Sequence, residues 1–180
     1  MPGLLEVAWS ILPAAAANAA PVFASRLFPR ANWPVDLGVK VRGRRLFGSH
    51  KTWRGLVAGV AAATATVMLQ QEIVGHFPAV REYDHFAYST ASWLLGAGLG
   101  AAALGGDLIK SAIKRQLDIA PGQSWFPFDQ IDWLLGTIAF ASVLPGFSIL
   151  FAVKILLVGL ALHLFGHFAG YLLRLNPAKI

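Results

Sequence analysis

The sequence predicts an all-α integral membrane protein, a single membrane-embedded domain over residues 1–180 with about five transmembrane helices. Three observations predict it. Only 13% of residues are charged and 56% are hydrophobic, whereas a soluble domain carries about a quarter charged residues. The apolar residues gather into stretches long enough for a bilayer core, which needs about 20 per helix. The lysines and arginines gather in particular links between those stretches.

The helices are expected at 4–28, 54–75, 88–116, 130–144 and 147–173. The first holds one acid, Glu6, and lacks the basic start of a signal peptide, having no Lys or Arg before Arg26. The second is apolar from Gly55 to Val74 but for Glu72, and the third is charge-free from Ser89 to Gly106. The fourth is short and opens on aspartates. Pro145 and Gly146 separate it from the fifth. Alanine runs and the Gly96/Gly100 pair suit close helix contact. The six tryptophans stand mostly near predicted helix ends, as an interfacial belt requires.

Loop charge orients the chain. The link from Pro29 to Trp53 carries Arg30, Lys40, Arg42, Arg44, Arg45 and Lys51. The third helix ends on Lys110, Lys114 and Arg115, and the C-terminus holds Arg174 and Lys179. The link from Gly75 to Ala87 has only Arg81 against Glu82 and Asp84. The N-terminus is therefore expected outside, with both basic loops and the C-terminus in the cytoplasm. The net charge of +6 suits anionic head groups of membrane lipids rather than nucleic acid. There is no cysteine, so thiol catalysis is excluded.

Four of the nine acidic residues fall between Gly106 and Asp132. Asp107, Lys110, Ser111 and Lys114 form one polar stripe at i, i+3, i+4 and i+7. Such a stripe faces protein or water rather than lipid, either as a site or as a snorkelling helix end with internal ion pairs. Asp129 and Asp132 open the next helix. Capping explains one of them well and two less well. Clustered carboxylates repel unless a cation lies between them, and Mg²⁺ prefers oxygen ligands plus substrate phosphates. Asp107, Asp129 and Asp132 would converge if helices three and four pack side by side, leaving Lys110, Lys114 and Arg115 for phosphate.

The second cluster is "RLFGSHKTWRG", Arg45 to Gly55. Gly48 permits a close approach, and Thr52 is a candidate N-cap flanked by Lys51 and Arg54. A helix start of this kind suits phosphate, and equally suits a basic loop that fixes topology. It is not a P-loop, because Ser49 and His50 precede Lys51 and no strand leads in. Asn18, in "AAANAAP", is expected to bond a neighbouring helix. His163 and His167, at i, i+4, read as packing rather than ligation.

Ser111-Ala-Ile-Lys114-Arg115, the Pro121-Gly122 turn and Asp129-Gln-Ile-Asp132 resemble the C-terminal signature of the membrane CTP:phosphatidate cytidylyltransferases. This sequence departs from that signature: its loop is shorter, and Gln130 stands where the signature has arginine. With "LFGSHKTWRG" and "NAAP" the resemblance is closer to the archaeal branch, the CDP-archaeol synthase family, over nearly the whole chain. The resemblance implies Mg²⁺-dependent transfer of CMP from CTP to an unsaturated archaeal ether-lipid phosphate. It implies metal and catalytic roles for Asp107, Asp129 and Asp132 and triphosphate contacts for Lys114 and Arg115. His50, Lys51, Thr52 and Arg54 become phosphate or nucleotide contacts, and Asn18 lines the site or the lipid's way in. A CDP-alcohol phosphotransferase would need a longer aspartate array opening on Asp-Gly, whereas Leu108 follows Asp107. An ion-coupled transporter would need more spans and a midplane site.

Overall fold

The computed structural model describes residues 3–120 and 122–172, without the side chains of residues 167 and 169–172. Pro121, the His167 ring, Arg174 and Lys179 lie outside the described residues. Five α-helices run α1 Leu4–Leu27, α2 Trp53–His76, α3 Trp93–Gln116, α4 Phe128–Ala141 and α5 Ile149–Leu172. A two-stranded hairpin, β1 Lys40–Val41 and β2 Arg44–Arg45, lies in the first link.

The helix starts follow from local chemistry. Thr52 caps α2, its hydroxyl accepting from Gly55 N at 3.3 Å. Ser92 caps α3 by accepting from Leu94 N. The expected start of α3 at residue 88 is corrected to Trp93. Ala87 is left-handed at φ 52°, and residues Tyr88–Thr90 form a 3-10 turn. Asp84 anchors that turn by accepting from the Tyr88 and Ser89 N–H groups at 2.8 and 2.9 Å. The fourth helix begins two residues earlier than expected, at Phe128, and ends at Ala141 rather than 144. Gly146, at φ +83°, divides it from α5, which runs from Ile149 rather than residue 147. Trp53 and Trp93 open their helices, whereas Trp133 is buried in the core.

α1, α2 and α5 from Ile149 to Gly166 are each long and apolar enough to cross a membrane. α3 has 24 residues but carries Asp107, Lys110, Lys114 and Arg115 in its last part. α4 has 14 residues, a length of about 21 Å, short of a hydrocarbon core of about 30 Å. The architecture is that of a multi-pass helical membrane protein.

A core of Val7, Ile11, Leu99, Leu134, Phe151 and Ile155 joins α1, α3, α4 and α5. Gly96 and Gly100 do pack α3 on α2: a Cβ at Gly96 would stand 2.7 Å from Thr64 Cα, and one at Gly100 2.8 Å from Ala63 Cβ.

The bundle has two distinct ends. At one, the His85 ring meets the Glu6 carboxylate at 2.7 Å and the Gly146 carbonyl at 2.9 Å. At the other, the first link folds against the end of α3. Arg44 donates to Gln116 O and pairs with Asp118, and Lys51 reaches Asp107 at 2.5 Å. The two charged windows of the sequence therefore share one end.

Candidate active site

The site begins with a backbone contact. α3 and α4 cross at Gly106 and Gly136. A Cβ at Gly106 would lie 2.2 Å from Asp132 O, and one at Gly136 would lie 2.0 Å from Ala102 O. Only glycines allow this approach, which brings Asp107, on α3, to the aspartates of α4. Asp107, Asp129 and Asp132 converge on the Lys110 ammonium, at 3.2, 2.9 and 2.6 Å. Lys110 is 13% exposed at its side chain and Asp132 only 4%. Water contributes little at Asp132, so that carboxylate depends on its cation.

Two further lysines close the arrangement. Lys51, just before α2, donates to Asp107 at 2.5 Å. Lys114 donates to both Asp129 oxygens, at 3.0 and 2.9 Å, and to Gln123 O at 2.6 Å. Asp129 also accepts from Trp125 N at 2.6 Å, so it both orders the loop before α4 and faces the lysines. Among the described residues no three His, Cys, Asp or Glu side chains stand close enough to share an ion directly. The three aspartates share the Lys110 ammonium instead.

The polar wall across from α3 is built around Asp36. Its carboxylate is buried, with partners in Arg45 and in the N–H groups of Gly38, Phe47 and Gly48, each at 3.1 Å. Burial alone would raise this carboxyl, but Arg45 and the three N–H donors outweigh it and hold it at about 2. The hairpin reverses through Arg42 at φ 52° and Gly43 at φ +79°, the two positive φ values of a type I′ turn. Gly48, at φ +92°, brings the chain back against Arg115; a Cβ there would lie 3.7 Å from the Arg115 Cδ.

Between this wall and α3 lies a basic pocket of 290 Å³, lined by Gly48, His50, Lys51, Lys110, Ser111, Lys114 and Arg115 with Phe47 and Gly122. Arg115 Nε is buried there without a hydrogen-bond partner. Behind it, a recess of 100 Å³ reaches Pro21 and Ser25 of α1, Thr52, Arg54 and Asp107. On the other side of Lys110 an apolar groove of 620 Å³ runs between α3 and α4. Trp125, Phe128, Ile109, Ile113 and Leu135 line it, and Lys110 and Asp132 form its polar end. Lys110 is the residue common to pocket and groove.

The structure thus brings together ten of the residues singled out by sequence: Asp107, Asp129, Asp132, Gly48, His50, Lys51, Lys110, Ser111, Lys114 and Arg115. Thr52 serves as the cap of α2 at the edge of the recess. Arg54 departs further from expectation. Its guanidinium donates to Phe28 O at 2.5 Å, closing the end of α1, while the residue also lines the recess. Asn18 lies one turn before Pro21, outside the lining of these three cavities.

The whole chain resembles known proteins. The family described as CarS-like, CDP-archaeol synthase, matches residues 2–179. The chain belongs to the CDP-archaeol synthase family. A CDP-archaeol synthase of Pyrococcus furiosus is 39% identical over 139 residues, 77% of this chain and 75% of that one. One from Pyrobaculum aerophilum is 32% identical over 167 residues, 92% of each chain. One from Methanocaldococcus jannaschii is 32% identical over 164 residues, covering 91% and 89%. A solved structure of an intramembrane enzyme for archaeal membrane lipids biosynthesis superposes with a TM-score of 0.73 at 32% identity, covering 92% of this chain and 95% of that one.

Within this CDP-archaeol synthase family chain, sequence reasoning missed Asp36, the Gly106/Gly136 crossing and the apolar groove. Signals for two of them were present. Asp36-Leu-Gly38 has the spacing of an aspartate turn, in which Oδ1 takes the N–H two residues on. Ala102 and Gly106 form a second small-xxx-small pair on α3, on a different face from Gly96 and Gly100.

Proposed function

We propose that this chain transfers CMP from CTP to 2,3-di-O-geranylgeranylglyceryl phosphate, yielding CDP-archaeol and pyrophosphate. One observation carries the reading: a basic pocket and an apolar groove meet at a single lysine, Lys110, encircled by three aspartates. The pocket has the charge for a triphosphate, and the groove has the apolar lining for isoprenoid chains. The lipid phosphate would then stand at Lys110 and Asp132, between its own chains and the nucleotide.

A lipid-phosphate oxygen forms a bond to the α-phosphorus of CTP as the bond from that phosphorus to the β-phosphate bridging oxygen breaks. The attacking phosphate is already anionic, so no strong base is required. The barrier is repulsion between anions and charge accumulating on pyrophosphate. Lys51, Lys114 and Arg115 lie where they would take up the leaving charge. Gly48 keeps that wall free of a side chain. Asp36 holds the wall itself in place.

The donor set suits Mg²⁺ in chemistry: Asp107, Asp129 and Asp132 supply only oxygen and already face one ammonium, and they would draw closer together to share an ion directly. These three would hold the ion, which when bound supplies charge neutralisation at the phosphates. We further propose that all five helices are embedded, α4 as a short buried element, with the N-terminus outside and the site and C-terminus cytoplasmic. The lysine and arginine bias of the site end supports that orientation.

The test is incubation of the purified protein with labelled CTP, Mg²⁺ and a panel of lipid phosphates. Labelled CDP-lipid and pyrophosphate are expected, and unsaturated ether lipids should give the fastest turnover. Asp107→Asn, Asp129→Asn and Asp132→Asn should each lower turnover by about 10² or more. Failure of every lipid phosphate to yield product would refute the assignment.

A further inference from the structure

Lys110 stands where a bound ion would be needed. Its ammonium touches all three carboxylates, at 3.2, 2.9 and 2.6 Å. Neither neighbouring lysine does this. Lys51 meets Asp107 alone, and Lys114 meets Asp129 alone. Without a cation at that point, three largely buried carboxylates would repel one another. We propose that Lys110 is an internal placeholder for the metal: its ammonium balances the aspartates when the ion is absent, and the ion must displace it.

This inference rests on the metal reading above and adds an order of events to it. Lys110 lines both the basic pocket and the apolar groove. An ammonium displaced from the carboxylates has those two spaces open to it. Both are assigned to phosphates, one of the nucleotide and one of the lipid. Metal binding therefore converts Lys110 from a partner of aspartates into a partner of phosphate. The lipid phosphate gains its cation only once the ion has arrived, so the ion precedes the lipid. Lys110 thereby acts as a positioning residue in the metal-free state.

The competition is measurable without turnover. The probe is Mn²⁺ alone, followed by electron paramagnetic resonance on the full chain in detergent, without CTP or lipid. Lys110→Met removes the competitor and keeps an unbranched apolar stem of four heavy atoms. It should bind Mn²⁺ about ten-fold or more tighter than wild type, in line with the strong effect of a close opposite charge on a carboxylate. Lys51→Met and Lys114→Met each remove one positive charge from the same neighbourhood. They should change affinity by no more than about three-fold, since each frees one carboxylate only.

Lys110→Arg keeps the charge with a broader set of donors. It should weaken Mn²⁺ binding several-fold and serves as the readout if Lys110→Met does not fold. Mn²⁺ binding by Lys110→Met with none by wild type supports the placeholder. Equal gains in all three methionine variants would reduce the effect to general electrostatics and overturn it. So would unchanged affinity in Lys110→Met or Lys110→Arg, or no binding by any protein. The asparagine variants of the three aspartates separate the two readings. If they still bind Mn²⁺ as wild type does, the metal site itself is misassigned. If they lose binding while Lys110→Met gains none, only the placeholder fails.

Discussion

Gly106→Ala is the most incisive single test of how the site is assembled. The new methyl would lie 2.2 Å from Asp132 O, 3.0 Å from Asp132 C and 3.1 Å from Gly136 N. These are backbone atoms of a helix, so no rotamer change relieves the clash. A carbon normally approaches a carbonyl oxygen to about 3.3 Å, so α4 must move away by about 1 Å. Overpacking of this kind costs about 1–3 kcal/mol. The functional effect should exceed the stability effect, because the displacement separates Asp129 and Asp132 from Asp107. A misplacement of about 1 Å can cost about 10² in rate. The assay is turnover with CTP and lipid phosphate below the melting transition, with melting measured in the same detergent. Two controls frame it. Gly96→Ala creates a comparable clash, 2.7 Å from Thr64 Cα, but at the α2–α3 contact. It should lose stability with a smaller loss of turnover. Gly75→Ala meets nothing within 4 Å and should be near neutral. Wild-type turnover in folded Gly106→Ala would refute the claim that this crossing sets the geometry of the aspartates.

Lys51→Ala and Arg54→Ala should separate. Lys51→Ala should raise the KM for CTP, while Arg54→Ala should mainly lower the melting temperature, since that guanidinium closes α1 at Phe28 O; CTP kinetics and melting on both variants check this. Asp36 gives a pH signature. Its carboxyl is held at about 2 against an ordinary 3.8, so the stability it contributes is full above about pH 4 and lost as pH falls toward 2; acid unfolding should be flatter over that window in Asp36→Asn, which should also be less stable near neutrality. Cysteines placed singly at Ser49 and Gln123 should both react with an impermeant reagent from the cytoplasmic side, a clean measurement in a chain without native cysteine.

The five helices were legible because their apolar runs are long and bounded by proline, glycine or charge. The start of α3 was not, because capping competes with hydropathy there. Ser92 and the Asp84-anchored turn set that boundary, although residues 88–92 are as uncharged as the first half of the helix that follows. Both charged clusters were visible as clusters. Their meeting was not, because Lys51 and Asp107 are 56 positions apart in sequence. Spacing placed Arg54 beside Lys51 at a helix start, and both looked like phosphate ligands. The structure sends one to a carboxylate and the other to a helix end. The groove had no sequence signature of its own, because its lining is made of the same residue types that face lipid elsewhere.

The charges at the centre of this end of the bundle balance one another before any substrate arrives. Asp107, Asp129 and Asp132 face Lys51, Lys110 and Lys114, three carboxylates against three ammonium groups. Such a balanced set repays little of its desolvation cost beyond holding its members in place. A triphosphate brings several negative charges to the same pocket, and a lipid phosphate brings more. Neither can be neutralised while all three lysines are committed to aspartates. Of the lysines and arginines that line the basic pocket, Arg115, whose Nε is buried without a hydrogen-bond partner, is the one not paired with an aspartate among the described residues. In the metal-bound reading proposed above, a cation at the carboxylates would free the lysines, so that nucleotide and lipid could be received together. This electrostatic count favours a metal-dependent reaction here, independently of any motif.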